Sequence, residues 1–277
     1  MYMSFENNLC KDADGLAPVV GTILMVGIVV VLAAVIGTQA LSVDTPDDHY
    51  ERFKEITEQN VEDLPDGLVG WWTFDDTIND ASQNSNHGVM NGDISYIDGV
   101  SGKCLDLDGN GYVEIPYDST LDMTDAITVS VWLKTSETSF AYATDKWWYS
   151  GSADRAWSLN FQGNNLVWRA SYNGQDSGSE EIKYDYSDYN GGWLTSPEWK
   201  YVTGTYDGNN LSLYVDGEFI GEKTLSDGII STSRPLFVGA GNDGEDFHYD
   251  GQIDDLQIYN RALSESEISA IYNSYLK

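Results

Sequence analysis

One long uncharged segment near the start limits how the rest of the chain can be arranged. No charged residue and no histidine occurs from Leu16 to Val43, and nearly all residues of this stretch are apolar. At ~1.5 Å per residue, a helix from Leu16 to Leu41 is about 39 Å long, which is enough to cross a hydrocarbon core of about 30 Å. Residues 16–43 are therefore predicted to form an apolar transmembrane helix, and residues 16–41 to contact the membrane.

The junction before this helix has a characteristic order of residues. A short polar leader ends at Gly15, and the apolar stretch then begins Leu16-Ala17-Pro18-Val19-Val20-Gly21-Thr22-Ile23-Leu24-Met25, with proline in a first turn where its missing N–H costs nothing. Residues 12–41 resemble the N-terminal segment of archaeal type IV pilins, especially those of salt-loving archaea. The resemblance implies that residues 1–15 are a leader, that a prepilin peptidase cuts between Gly15 and Leu16, and that the helix then packs with other pilin subunits in a filament core.

Processing of the leader stays open. Asp14 stands where pilins often have a basic residue, and a single-span anchor that is never cut has the same apolar pattern. A secretory signal fits less well, because its apolar region is only about 7–15 residues long behind a basic start. Cleavage after Gly15 removes Cys10, and Cys104 alone cannot form an intramolecular disulfide.

The chain is strongly acidic. It carries 45 Asp and Glu against 14 Lys and Arg in 277 residues, a formal net charge of -31, and such a surface repels phosphate and excludes nucleic acid as a partner. Because 41% of the residues are hydrophobic and 13% are aromatic, the acidity does not indicate disorder. It is typical either of halophilic proteins that stay hydrated in concentrated salt or of ordinary acidic extracellular proteins that bind a cation or two.

Residues 44–66 are acidic and polar. Tyr50, Phe53 and Ile56 recur at intervals of three within them, which would place the three side chains along one side of a helix. The pattern predicts a helical stalk between the membrane and a domain formed by residues 67–277. A solvated, flexible linker is the alternative.

From residue 67 onward, short runs of alternating apolar residues are separated by Asp-Gly and Asn-Gly pairs, which suit tight turns with positive φ. About eleven strands with almost no helix predict a mainly β fold, a sandwich of two sheets. The expected strands are Leu68–Phe74, Lys103–Leu107, Tyr112–Ile115, Ile127–Lys134, Trp157–Phe161, Leu166–Tyr172, Lys200–Tyr206, Leu211–Val215, Glu218–Lys223, Leu236–Ala240 and Gln252–Tyr259. One helix is expected from Ser264 to Tyr275, with Ser264 as the N-cap and Glu267 three residues later.

Six segments of this region carry a second resemblance. They are Gly70-Trp71-Trp72-Thr73-Phe74-Asp75, Cys104-Leu105-Asp106-Leu107-Asp108-Gly109, Val129-Ser130-Val131-Trp132-Leu133-Lys134, Thr205-Tyr206-Asp207-Gly208, Leu213-Tyr214-Val215-Asp216-Gly217 and the run from Gly251 to Ser264. In this order they resemble the laminin-G-like members of the concanavalin A-like lectin/glucanase superfamily, over about residues 67–275. The resemblance implies a jelly-roll sandwich whose first and last strands pair, a binding module for glycans or proteins, and often a structural calcium ion.

Catalytic motifs are missing from the sequence. Retaining glycosidases need two carboxylates about 5–5.5 Å apart, and in the related glucanases they lie on one strand in a Glu-x-Asp-x-x-Glu motif, which is absent. His49, His87 and His248 are far apart and lack the spacing of metal ligands. The chain is therefore predicted not to be an enzyme, with a divergent glycan hydrolase as the alternative.

Calcium has better support, because it binds several oxygen ligands at once. If the first and last strands are neighbours, Asp75 comes near Asp254 and Asp255, with the loop that contains Asp80 beside them. These four aspartates are the predicted ligands of a structural Ca2+. Asp254 alternates with Leu256 and should point inward, where a carboxylate needs a cation or hydrogen-bond donors. Backbone N–H groups are the alternative partners.

Glycan sites combine aromatic faces for the sugar rings with polar groups for the hydroxyls. Two stretches that are expected to be loops offer this mixture, Tyr142–Tyr149 and Tyr172–Trp193. They predict six ligand-binding residues, which are Trp147, Trp148, Tyr149, Tyr184, Tyr186 and Tyr189. Packing of these aromatic rings is the alternative. Asn210, in Asn210-Leu211-Ser212, is the one predicted N-glycosylation site.

Together these features predict a non-enzymatic surface protein. A pilin-like subunit would display a lectin-like sandwich outside the cell, where it adheres to glycans or to cell-surface partners. A membrane-anchored envelope protein whose sandwich packs with its neighbours is the structural alternative.

Overall fold

The computed structural model describes residues 65–135, 139–148, 154–186 and 198–276. The predictions for the cleavage at Gly15 and Leu16, the apolar helix and most of the stalk lie outside these ranges, as do those for Tyr149 and Tyr189. Within them, no helix has the length and apolarity needed to cross a membrane.

The described residues form fifteen strands and one α-helix. The strands are β1 (Leu68–Trp72), β2 (Val89–Asn91), β3 (Ile94–Asp98), β4 (Lys103–Asp108), β5 (Tyr112–Ile115), β6 (Ile127–Thr135), β7 (Phe140–Trp147), β8 (Arg155–Gln162), β9 (Asn165–Ser171), β10 (Ser179–Asp185), β11 (Lys200–Tyr206), β12 (Asn210–Val215), β13 (Glu218–Thr224), β14 (Leu236–Val238) and β15 (Asp250–Tyr259), followed by helix α1 (Glu265–Tyr275).

These strands build two antiparallel sheets. Sheet A has the order β13-β12-β11-β6-β15-β4-β3, and β1 also pairs with β15. Sheet B has the order β10-β9-β8-β7-β14-β5-β2. Leu68 of β1 lies opposite Tyr259 of β15, which confirms the predicted pairing of the first and last strands. The two-sheet sandwich is confirmed as well.

The main core lies between the two sheets. Alternate residues of β6 and β8 point into it, among them Val129, Leu133 and Leu159, all fully buried. Trp72 and Trp168 are the largest fully buried side chains of this core together with Trp157. Burying one large apolar side chain contributes about 1.5–3 kcal/mol, so the buried side chains of this core are a main source of the stability of the sandwich.

Helix α1 covers part of the outer face of sheet A. Ile268 and Ile271 pack there on Trp132 and Tyr201 in a second apolar cluster. Ser264 accepts a hydrogen bond from the backbone N–H of Glu267, whose side chain accepts one from the backbone N–H of Ser264. The predicted helix and its capping box are therefore confirmed.

Four of the strands were not predicted from the sequence. They are β2, β3, β7 and β10. In β7, Asp145 and Lys146 interrupt the apolar alternation although both are buried, so this strand in the middle of sheet B was expected to be a loop. The correction matters for function, because Trp147 is the last residue of a strand.

Candidate functional site

A bulge in β15 decides where Asp254 lies. Asp254 pairs with Trp132, whose side chain belongs to the cluster on the outer face of sheet A, whereas Leu256 lies in the core between the sheets. The register shifts between them, and Asp255 has a positive φ of 46°. The prediction that Asp254 points inward with Leu256 was therefore wrong, although Asp254 is fully buried.

The carboxylate of Asp254 is only half satisfied. Its Oδ2 accepts hydrogen bonds from the backbone N–H groups of Val100 at 2.7 Å and Ser101 at 3.3 Å. Its Oδ1 is buried and has no hydrogen-bond partner within the ranges described. Burial and the nearby charges of Asp255 and Asp75 raise the pKa of Asp254 well above its ordinary value, against the lowering effect of the two N–H groups. An uncompensated oxygen therefore lies next to two more carboxylates.

The other predicted calcium ligands accept hydrogen bonds. Asp75 Oδ1 accepts one from the backbone N–H of Lys103 at 2.6 Å, and Asp255 Oδ1 accepts one from Trp71 Nε1 at 2.9 Å. No group of three or more His, Cys, Asp and Glu side chains is arranged to hold a metal in the part of the chain that the structure covers.

Both carboxylate oxygens of Asp80 accept hydrogen bonds. Its Oδ1 accepts hydrogen bonds from the backbone N–H groups of Trp71 and Ser82, and its Oδ2 accepts them from Ser82 Oγ and the backbone N–H of Asn86, all between 2.8 and 2.9 Å. Asp80 thus orders its own loop against β1. Calcium binding by the four aspartates stays a prediction.

A row of mostly polar side chains crosses the outer face of sheet B. Cross-strand pairing places its members side by side in the order Glu181, Arg169, Ser158, Asp145, Phe237 and Glu114. Trp157 and Trp168, their neighbours along the strands, point into the core. The centre of the row is buried, with Asp145 1% and Arg169 7% exposed. Burying a charged side chain costs free energy unless it is paired or hydrogen-bonded, so the buried Asp145 and Arg169 mark this face as a candidate site.

Arg169 is held firmly within this row. Its Nε donates to Ser158 Oγ at 3.1 Å, and its Nη2 donates to the hydroxyl of Tyr142 at 2.9 Å. The guanidinium lies 4.3 Å from the ring centroid of Trp147, which is itself 2% exposed. The predicted ligand residue Trp147 therefore supports an arginine and does not offer a free ring face.

Asp145 is buried beside these groups. Burial raises its pKa well above the ordinary value, and the charge of Arg169 only partly opposes that shift. Asp145 Oδ1 and Trp147 Nε1 have no hydrogen-bond partner in the residues covered by the structure. Buried polar atoms without partners are rare in folded proteins and point to water or a ligand.

Trp148 and two further arginines complete what we call the arginine–tryptophan cluster, which consists of Trp147, Trp148, Arg155, Arg169 and Arg234. Arg234 lies 4.2 Å from the ring centroid of the partly exposed Trp148, and Arg155 lies 5.9 Å from that of Trp147. Arg234 also forms an ion pair with Asp243 at 2.9 Å. Sequence reasoning assigned no role to the arginines, although charged residues inside apolar strands were the available signal.

The remaining predicted ligand residues lie elsewhere. Tyr186 belongs to the main core, where its hydroxyl donates to the carbonyl of Gly163 at 2.8 Å and its ring packs on Phe161. Tyr184, at the end of β10, also packs against this core. Both were expected in an aromatic loop, but Tyr184 belongs to β10 and Tyr186 directly follows it, and both rings pack in or against the core.

Asn210 begins β12. Its Oδ1 accepts a hydrogen bond from Thr224 Oγ1 at 3.1 Å across the pair of β12 and β13, and a glycan would attach to the other amide atom, Nδ2. Glycosylation of Asn210 stays a prediction.

Comparison with known proteins supports both resemblances. Residues 107–269 match the family model described as the concanavalin A-like lectin/glucanases superfamily, and residues 14–49 match the model of the archaeal type IV pilin N-terminal segment. Among curated proteins, Paraclostridial mosquitocidal protein 1 from Paraclostridium bifermentans is 24% identical over 216 residues. These cover 72% of this chain but 17% of the relative, so the chain spans less than a fifth of that protein's length.

Solved structures share the fold. The binding domain of Paraclostridial mosquitocidal protein 1 superposes with a TM-score of 0.63 at 22% identity, over 77% of this chain and 53% of that one. Domain 4 of AbnA, an extracellular arabinanase from Geobacillus stearothermophilus solved in complex with arabinotriose, gives 0.60 at 19% identity, over 74% and 98% of the two chains. At such identities the similarity establishes the fold of the sandwich.

Proposed function

The chain belongs to the concanavalin A-like lectin/glucanase superfamily, and from that premise we propose that it is a non-enzymatic surface protein whose sandwich binds a glycan or a cell-surface partner. The observation that carries the proposal is the arginine–tryptophan cluster on the outer face of sheet B. It combines aromatic rings with fixed hydrogen-bond donors, and the carboxylate of Asp243 is paired with its Arg234, which together is the chemistry that orients sugar rings and hydroxyls. Trp148 is its partly exposed aromatic member.

The similar proteins support a binding role. One solved relative is described as a binding domain, and another was solved in complex with arabinotriose. The pilin-type match over residues 14–49 supports display at the cell surface. In this proposal the leader is cut between Gly15 and Leu16, the apolar helix joins the membrane or a filament of other subunits, and the sandwich lies outside the cell.

A binding assay with a matched pair of variants tests the proposal. The full chain, purified in detergent, is applied to a glycan array and to isolated cell envelopes. Trp148→Ala should weaken binding at least tenfold, because it removes the aromatic face stacked on Arg234. Trp199→Ala is the control, since Trp199 also lies under a cation, Lys134 at 5.9 Å, but away from the cluster. A folded chain that binds neither glycans nor envelopes contradicts the proposal.

A further inference from the structure

A polar groove of about 780 Å³ opens between β10 of sheet B and β13 of sheet A. Both strands lie at the end of their sheet. Its size falls within the range of about 300–1,000 Å³ usual for ligand sites. The lining is mostly charged or polar and includes Arg169, Glu181, Lys183, Glu222 and Lys223. The groove therefore continues the arginine–tryptophan cluster toward one edge of the sandwich.

Arg169 differs from the other arginines in the described ranges by its lack of a carboxylate partner. Arg155 pairs with Asp176 at 2.8 Å, Arg234 with Asp243 at 2.9 Å and Arg261 with Glu267 at 2.5 Å. Arg169 has no carboxylate oxygen within 4.0 Å among the residues that the structure describes. An unpaired guanidinium in a chain with a net charge of -31 is unexpected.

The contacts of Arg169 leave hydrogen-bond donors available. A guanidinium carries five N–H groups, and Nε and Nη2 each use one on Ser158 and Tyr142. Nη1 donates to no group in the part of the chain described here. Asp145 does not pair with the guanidinium, because no oxygen of its carboxyl lies within 4.0 Å of Arg169, and burial raises the pKa of this carboxyl, which opposes its ionisation. Glu181, at the groove, is already paired with Lys183 at 2.8 Å.

We infer that the groove binds an acidic glycan, and that a carboxylate or sulfate group of this glycan is the missing counter-ion of Arg169. This inference rests on the proposed function and specifies its ligand class. Arginine suits such a group because its planar fork binds carboxylate and similar anions with two parallel hydrogen bonds. Ser179 lines the same groove, where its hydroxyl can bind a sugar hydroxyl.

The net charge of the chain adds a signature to this binding mode. Long-range repulsion opposes the approach of an acidic glycan, and salt screens that repulsion more strongly than it screens a partly buried contact. Moderate salt should therefore leave the affinity unchanged or increase it, whereas binding through an exposed cationic patch would weaken with salt.

Calorimetry on the full chain in detergent tests the inference with three oligosaccharides of equal length. A galacturonic acid oligomer and a sulfated galactose oligomer are the two acidic probes, and a galactose oligomer is the neutral one. We expect at least one acidic probe to bind at least tenfold more tightly than the neutral probe, and Arg169→Gln to abolish that preference. Arg261→Gln is the control, because Arg261, which lies just before α1, already has a carboxylate partner.

Exposed residues of the groove keep the test independent of folding. Lys223→Glu should weaken and Glu222→Lys should strengthen binding of the acidic probe, each by a fewfold change. Equal binding of acidic and neutral probes overturns the inference and leaves the proposed function intact. Failure of every probe and of cell envelopes to bind the folded chain overturns both.

Discussion

The guanidinium of Arg169 lies 4.3 Å from the ring centroid of Trp147, and both side chains are more than nine-tenths buried on the outer face of sheet B. A desolvated cation over a tryptophan ring gains about 2 kcal/mol, which offsets part of the cost of burying the charge. The ring and the cation therefore depend on each other.

Trp147→Ala should destabilise the sandwich strongly. Truncation of a buried tryptophan costs about 3–5 kcal/mol, and here it also removes the ring beneath Arg169. Trp147→Phe keeps an aromatic ring and should cost clearly less. Urea unfolding of the three proteins measures the difference, and equal losses for both variants would show that the aromatic ring does not support the cation.

Asp145 should make stability depend on pH. In the folded state burial raises the pKa of Asp145 above its ordinary value of 3.8. Between these two pKa values the folded chain keeps the proton of this carboxyl, whereas the unfolded chain has lost it. Stability from this group is thus fully present below about pH 4 and is lost as pH rises through the higher folded pKa. Asp145→Asn removes the titration, so it should melt at a higher temperature than the wild type at pH 7 and lose this advantage at pH 4. An advantage that is the same at both pH values would contradict the explanation.

Glu267 in the capping box of α1 should give the opposite pH dependence of stability. Hydrogen bonds from Arg261 lower the pKa of Glu267 from 4.5 to about 2. Its contribution is therefore present above pH 4.5 and is lost as pH falls through about 2. Glu267→Gln should destabilise the protein at pH 7, by about 1 kcal/mol as for the loss of a helix cap, and much less at pH 2. Thermal unfolding at the two pH values checks this, with Glu265→Gln in the same helix as the control.

Sequence reasoning reached the architecture but not the site. Periodicity, turn pairs and a capping box were enough for the sandwich, the pairing of β1 with β15 and the helix. They failed where a strand departs from regular alternation of apolar and polar residues. The bulge at Asp255 reversed the face of Asp254, and buried polar residues in β7 hid a central strand. The partners of Arg169, a residue of β9, come from the two strands β7 and β8, so no local pattern could show them.

Calcium binding can be tested through Asp254, whose Oδ1 lacks a partner. If the predicted ion binds there, calcium at 100 times its dissociation constant should stabilise the wild type by about 2.7 kcal/mol. Asp254→Asn should lose that response. Asp80→Asn should destabilise the loop but keep the response, because both oxygens of Asp80 already accept hydrogen bonds. If neither calcium nor a chelator changes the melting temperature of the wild type, the calcium prediction is wrong.

The acidity of the chain leads to a prediction about salt. Ion pairs such as Lys103 with Asp98 are exposed and contribute little, and they weaken further in salt. Repulsion among the many carboxylates left over destabilises the compact state, and salt screens it as well. Because carboxylates outnumber cations by 45 to 14, the second effect should dominate, and the melting temperature should rise from low to molar KCl.

Replacing the exposed Asp93, Glu218 and Glu245 by amides should raise the melting temperature at low salt and flatten this dependence. A melting temperature that is the same at both salt concentrations would show that the acidic surface serves a purpose other than adaptation to salt.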